Sequence, residues 1–130
     1  MSAPSPTALQ ALAVAAGSVG GALLRWITQT WLNPVWSGFP LGTLAVNGGG
    51  GFMIGLALAW FAQTPNDLLR LLVITGFLGG LTTFSSFSGE SLAMLQRGEF
   101  GMALLHTLAH VLGSLACAAL GFAAMRHALS

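Results

Sequence analysis

The sequence predicts an all-α membrane protein of four transmembrane helices, the third broken at mid-membrane, and three observations predict it. Hydrophobic residues fill 55% of the 130 positions and charged residues 5%, against about a quarter charged in soluble domains, and the mean hydropathy is +0.80. Four apolar stretches are each long enough to cross about 30 Å of hydrocarbon at roughly 1.5 Å per helical residue. The third carries a glycine and hydroxyl run poor in strong helix formers. A soluble domain of this size needs a charged surface around its core, which three acids and four basic residues do not supply.

The spans run from about Thr7 to Thr30, Leu41 to Ala62, Leu68 to Leu95 and Phe100 to Met125. The first opens with Met-Ser-Ala-Pro-Ser-Pro, lacks the basic n-region of a signal peptide and is read as a mature span. Connections are short and punctuated by Asn33-Pro34, Gly38-Phe39-Pro40, Thr64-Pro65-Asn66 and Arg97-Gly98. They leave one four-span domain, 1–130, lying in the lipid bilayer. Trp26, Trp31, Trp36 and Phe39 cluster near one boundary, and Trp60 with Phe61 near another, as interfacial anchors do.

A net charge of +1 with no lysine leaves no basic patch for a phosphate backbone, so nucleic acid is excluded as a partner. The single cysteine, Cys117, has no partner within the chain and reads as a small packing residue.

The arginines set orientation, because cytoplasmic loops carry the excess of positive charge. Arg70 and Arg126 fall on one side, Arg97 and the near-boundary Arg25 on the other. The tie predicts a chain that inserts both ways up, so that two copies pair as an antiparallel, dual-topology homodimer. Glycine supports close helix assembly, with GxxxG spacing at Gly17 and Gly21 and at Gly51 and Gly55.

The run from Gly76 to Ser88 interrupts the third span. Paired glycines followed by Thr82 and Thr83 let the backbone unwind near Gly79 to Thr83, and free carbonyls at membrane depth cost several kcal/mol unless buried in protein or given to an ion. Broken helices of this kind hold cations through carbonyls and offer N-termini to anions; a packing kink capped by Thr82 or Thr83 is the plainer alternative. Beyond the break, Phe84 and Phe87 stand three apart among Ser85, Ser86 and Ser88, on roughly one helix face. Ring edges are electropositive and hydroxyls donate, so a small anion could rest there without meeting a full positive charge; two core phenylalanines are the alternative.

Two further spans carry polar stripes at four-residue spacing: Thr43 with Asn47, and His106 with His110 and Ser114. Such stripes face protein or water, and Asn47 and Ser114 offer donors that could replace part of an anion's hydration shell or bond between helices. His106 and His110 share the spacing of a zinc helix, but threonine follows His106 where glutamate is needed, and no suitably grouped carboxylate is expected nearby. Arg25 reads either as a snorkelling boundary anchor or as a positive potential for anions, and Glu90 as a vestibule residue or an interfacial charge.

The stretches Gly17-Ser18-Val19-Gly20-Gly21-Ala22-Leu23-Leu24-Arg25-Trp26, Gly42-Thr43-Leu44-Ala45-Val46-Asn47 and Gly79-Gly80-Leu81-Thr82-Thr83-Phe84-Ser85-Ser86-Phe87-Ser88 together resemble the Fluc (CrcB) family of fluoride channels. The resemblance spans most of the chain. It implies passive fluoride export across a bacterial inner (plasma) membrane by an antiparallel homodimer with two separate pathways. It also implies a central sodium ion held by backbone carbonyls, which by motif position are those of Gly79 and Thr82. Phe84 and Phe87 match the aromatic positions lining fluoride sites and Asn47 the pore asparagine. Arg25, Ser85, Ser86, His110 and Ser114 match further positions near the pathway, and Glu90 an acidic position at the motif's end. The family usually carries bulkier apolar residues after the asparagine, whereas Gly48 and Gly49 stand here, which leaves the local helix geometry open.

A proton-coupled exporter of the small multidrug resistance type has the same span count but relies on a glutamate in span one, where this chain has no acid. A membrane scaffold would explain the glycines but not the broken span, and no nucleophile, base and orienting acid occur together to make an enzyme.

Overall fold

The computed structural model describes residues 4–130, so the Met-Ser-Ala that precedes the expected first span lies outside the described residues. Four helical crossings follow one another, and there is no strand among the described residues.

Helix α1 (Ala8–Leu32) starts at Thr7, whose hydroxyl accepts the Gln10 N–H while the Gln10 side chain accepts the Thr7 N–H. This reciprocal cap satisfies two orphan donors at a boundary where lipid offers no partner. A 3₁₀ turn, Asn33–Val35, with Pro34 near its start, leads to α2 (Leu41–Gln63). The third crossing is composite. It begins as α3 (Asp67–Arg70), capped by Asn66, winds as a π-helix over Leu71–Leu78, and closes with one α turn, α4 (Gly79–Leu81). Thr82 and Thr83 are extended, and α5 (Phe84–Gln96) resumes beyond them. The turn into α6 (Phe100–Leu129) uses Gly98 at φ 76°, a conformation that costs glycine nothing. Outside the membrane, Arg97 bonds Glu99 at this turn and holds its carboxyl below the usual carboxylate range.

Packing follows the glycines. A Cβ on Gly80 would stand 2.6 Å from the Ser18 carbonyl oxygen, and one on Gly76 would stand 2.7 Å from that of Val14. Gly17 and Gly21 likewise face the backbone of the π-helical segment and α4. Two glycine pairs four residues apart thus let α1 and the third crossing meet backbone to backbone, the contact that drives helix association in lipid. Gly51 and Gly55 do the same for α2 against Ser114 and Ala118 of α6, with Gly121 answering from the other side.

Two expectations change here. Phe39, read as an interfacial anchor, is only 3% exposed: it stacks on Trp36 and meets His106 edge-on. Phe61 is buried as well, whereas Trp26, Trp31 and Trp36 remain on the surface. The π-winding of Leu71–Leu78 had no signature in the apolar pattern, since a continuous apolar run reads alike at either helical period.

Candidate functional site: a buried polar cluster at the helix break

The break is held by one side chain. Asn47, from the second turn of α2, accepts the Thr83 N–H at Oδ1 (2.7 Å) and returns Nδ2–H to the Thr83 carbonyl (3.0 Å). The amide therefore pairs with extended backbone as a neighbouring strand would. Thr83 also caps α5, its hydroxyl accepting the Ser86 N–H at 3.0 Å.

These contacts redirect hydrogens that an unbroken helix would spend on its own carbonyls. The Thr83 N–H would have gone to Gly79 and the Ser86 N–H to Thr82, four residues back; both are engaged elsewhere. Gly80, another affected carbonyl, accepts Nε–H of Arg25 at 3.0 Å. Arg25 thus acts as a donor closing one carbonyl of the break. The break leaves the carbonyls of Gly79, Leu81 and Thr82 without helical donors; those of Gly79 and Thr82 are oxygen ligands of the kind hard cations take, and their chemistry fits sodium.

A second cluster continues from the first. Thr43, fully buried, donates its hydroxyl to Glu90 Oε2 at 2.5 Å and accepts from Gln29 Nε2 at 3.1 Å. Its N–H, an orphan of the first turn of α2, is taken by Asn33 Oδ1 at 3.1 Å. Glu90 Oε1 lies 3.1 Å from His106 Nε2, and the other ring nitrogen of His106 pairs with Ser91 Oγ at 2.8 Å. Glu90 is partly buried and belongs to a polar network that ties α5 to Thr43 on α2 and to His106 on α6. A carboxylate does stand beside the histidines, contrary to the sequence expectation: atoms of Glu90, His106 and His110 lie within 4.8 Å of one another. The sequence kept it hidden because the grouping joins α5 to α6 across sixteen positions.

His110 connects the clusters. Its Nδ1 lies 3.1 Å from Asn47 Nδ2, while its Nε2 is buried without a partner. The Phe87 ring lies tilted against it, at 4.7 Å between centroids, and stacks on His106 at 5.1 Å.

Phe84 and Phe87 do not share an environment as expected. Their rings touch, 5.5 Å apart, but Phe87 is 8% exposed and Phe84 78%. Phe84 marks the rim of a cavity of about 490 Å³ lined by Asn47, Gly79, Thr82, Phe87, His110 and Ser114 among others. Ser85 faces outward, its hydroxyl 3.3 Å from that of Thr83, and Ser86 is half-buried. Gly48 and Gly49 leave α2 regular: a Cβ on Gly49 would meet open space and one on Gly48 only the Cys117 sulfur.

Pattern reading missed Gln29, Asn33 and Ser91. Asn33 read as loop punctuation and Ser91 as one more hydroxyl; only their reach across the fold gives them partners. Glutamine in the last turn and a half of an apolar span was the one available signal for Gln29.

Four apolar crossings around a discontinuous helix, with carbonyls, amide, imidazole and carboxylate gathered at its break, define a multi-pass membrane protein of the ion-handling class. Residues 12–122 match the family described as "CrcB-like protein, Camphor Resistance (CrcB)", and the chain belongs to that family. A relative from Aromatoleum aromaticum, a fluoride-specific ion channel FluC, is 52% identical over 115 residues, covering 87% of this chain and 88% of the relative. Proteins of the same name from Acinetobacter baumannii (51% identical, 86% and 90% covered) and Thiobacillus denitrificans (50%, 88% and 94%) agree. These relatives are ion channels rather than enzymes, and this chain is a multi-pass bacterial membrane protein.

Proposed function

We propose that the chain is a fluoride-selective channel that lets the ion leave the bacterial cytoplasm passively, as an antiparallel homodimer with two pathways. The observation that carries this reading is the third-span break pinned by Asn47, which gathers donors and aromatic rings at membrane depth. The relatives' name supplies the identity of the ion.

Fluoride is small and strongly hydrated, so its path must replace water with close donors while holding the ion weakly enough at each point to release it. In this reading the path passes Thr43, Asn47, His110 and Ser114 on α2 and α6, and Ser85, Ser86 and the edges of Phe84 and Phe87 on α5. Neutral donors and ring edges attract an anion without trapping it. Arg25, tied to Gly80, and Glu90, tied to Thr43 and His106, stand beside the path as fixed charges.

The open cavity and the exposed Phe84 support pairing, since a second copy laid across them would enclose the pathway. The carbonyls of Gly79 and Thr82 would hold a sodium ion at that junction, supplying a structural positive charge between the copies. The small multidrug resistance reading loses ground because α1 carries no acid, and its one charge, Arg25, is committed to Gly80.

The purified protein in liposomes is expected to pass fluoride far faster than chloride, and Phe84→Ile or Asn47→Asp to lower the flux. Equal chloride flux through the wild type would sink the reading.

A further inference from the structure

We propose that the end of the molecule carrying Arg70 and Arg126 holds an anionic phospholipid, with one acyl chain in an apolar groove between α2, the third crossing and α6 and its phosphate at the two arginines. The site goes beyond the proposed function and does not depend on which ion the chain passes.

The groove has a volume of about 450 Å³, and its walls include Met53, Trp60, Leu69, Val73, Phe77 and Met125. The indole of Trp60 is the one N–H or O–H on a lining side chain. Water inside would go unbonded, and a soluble anion would find nothing to hold it. A run of methylenes loses nothing there. From Met53 to Trp60 the groove follows α2 for two turns, roughly 10 Å at 1.5 Å per residue. That length suits an acyl chain entering from the boundary where α2 ends and the third crossing begins.

The mouth is charged. Leu69 and Met125, at its outer end, are each followed by an arginine, and both arginines are exposed. Neither has a carboxylate within 4.0 Å among the described residues, and Asp67, the one acid of this end, does not reach Arg70. Arg126 rests over the Phe122 ring, 5.8 Å from its centroid, a contact that leaves its charge unneutralised. Two unpaired guanidinium groups over an apolar groove at a membrane boundary make a basic site for a lipid head group, and their forks match phosphate oxygens. The opposite boundary differs, since Arg97 there is bonded to both oxygens of Glu99.

A second copy is the rival occupant, and it fits the charges poorly. Laid antiparallel, it brings its Arg97 and Glu99 to this end, already paired with each other. Laid parallel, it brings one acid, Asp67, with two further arginines. A lipid phosphate brings net negative charge alone. Leu78 lines both this groove and the cavity at the break, so a chain seated here braces the segment that leads into the break.

Purified protein stripped of lipid in maltoside detergent is expected to gain thermal stability from dioleoylphosphatidylglycerol and far less from dioleoylphosphatidylcholine, whose chains are the same. Native mass spectra should show one phosphatidylglycerol retained per chain, and sodium phosphate alone should leave the unfolding midpoint unmoved. Each arginine is worth roughly fivefold in affinity, so Arg70→Gln with Arg126→Gln should bind phosphatidylglycerol about twenty-five times more weakly. Arg97→Gln, at the other boundary, should bind it as the wild type does. Val73→Phe, which fills the groove and keeps both arginines, should lose the response to either lipid.

Equal stabilisation by the two lipids would overturn the site, as would undiminished binding by the double arginine variant or a response to sodium phosphate matching that to phosphatidylglycerol. Retention of phosphatidylglycerol by Val73→Phe would show that the arginines act without the groove. A wild type that retains no lipid, with Val73→Phe splitting dimers into monomers, would assign the groove to a second copy. Should Val73→Phe fail to fold, the paired lipids and the arginine variants, which change only exposed positions, still decide.

Discussion

Thr43 shows how much a single residue carries and how little of it a sequence reveals. Its place four residues before Asn47 was legible as a polar stripe, because helical spacing sets both on one face. Its partners were not, since Gln29, Asn33 and Glu90 come from α1, the following turn and α5. The hydroxyl is the hub of that group, donating to the carboxylate while accepting from Gln29. Removing it strands a partly buried carboxylate oxygen at a cost of roughly 1–3 kcal/mol, more than a typical neutral hydrogen bond contributes. Thr43→Val, which keeps the shape, is therefore expected to lower the thermal unfolding midpoint of the detergent-solubilised protein, and Thr43→Ser to lower it much less. Equal effects would place the contribution in the methyl group and its packing. Glu90 sits at the opposite extreme of legibility: nothing in its neighbours indicates a network that closes only when α2, α5 and α6 pack together.

At the scale of elements, the four crossings and the broken third one follow from composition and from the Gly-Gly-Leu-Thr-Thr run. The physical content of the break does not. Runs of glycine and threonine announce that a helix can open, but whether it opens around an ion, a cap or a kink depends on what faces it. Asn47, thirty-six positions away from Thr83, determines that by taking the hydrogen bonds a strand would have taken. The glycines divide in the same way. Gly21 lies against the Phe77 and Leu81 backbone, where any Cβ forces α1 away from the third crossing and pulls Arg25 from Gly80. Gly49 faces open space inside a regular helix, where alanine adds helix propensity of up to about 1 kcal/mol. GxxxG spacing singled out Gly21 in the sequence, whereas nothing there indicated what Gly49 faces. Gly21→Ala is expected to destabilise the protein clearly and Gly49→Ala to leave it unchanged or slightly stabilised, read by thermal unfolding in detergent. Loss of stability in Gly49→Ala alone would mean that its open face is covered in the assembled protein, and so would map a contact between copies.

At the scale of the whole molecule, the arginine tie that predicted two orientations needs a correction from the fold. Arg25 is hydrogen-bonded into the break and is not a loop charge, which leaves Arg70 and Arg126 on one side against Arg97 on the other. Arg97 is exposed, and its pairing with Glu99 does not discount it, since acids contribute little to orientation. A margin of one arginine is a weak bias, and a few added charges should overrule it in either direction. Ser37→Lys with Gln96→Lys loads the side of the first and third connections, and Gln63→Lys with Thr64→Lys loads the other; all four positions are exposed and outside the polar cluster. If the working unit is an antiparallel pair, each doubly substituted chain made alone orients one way, lacks inverted partners and passes little fluoride from loaded vesicles. Made together in one cell, the two supply both orientations, and flux should return to near the wild-type level. Full flux from either variant alone would show that copies inserted the same way round are sufficient, and the cavity beside Phe84 would then need a parallel neighbour or lipid to close it.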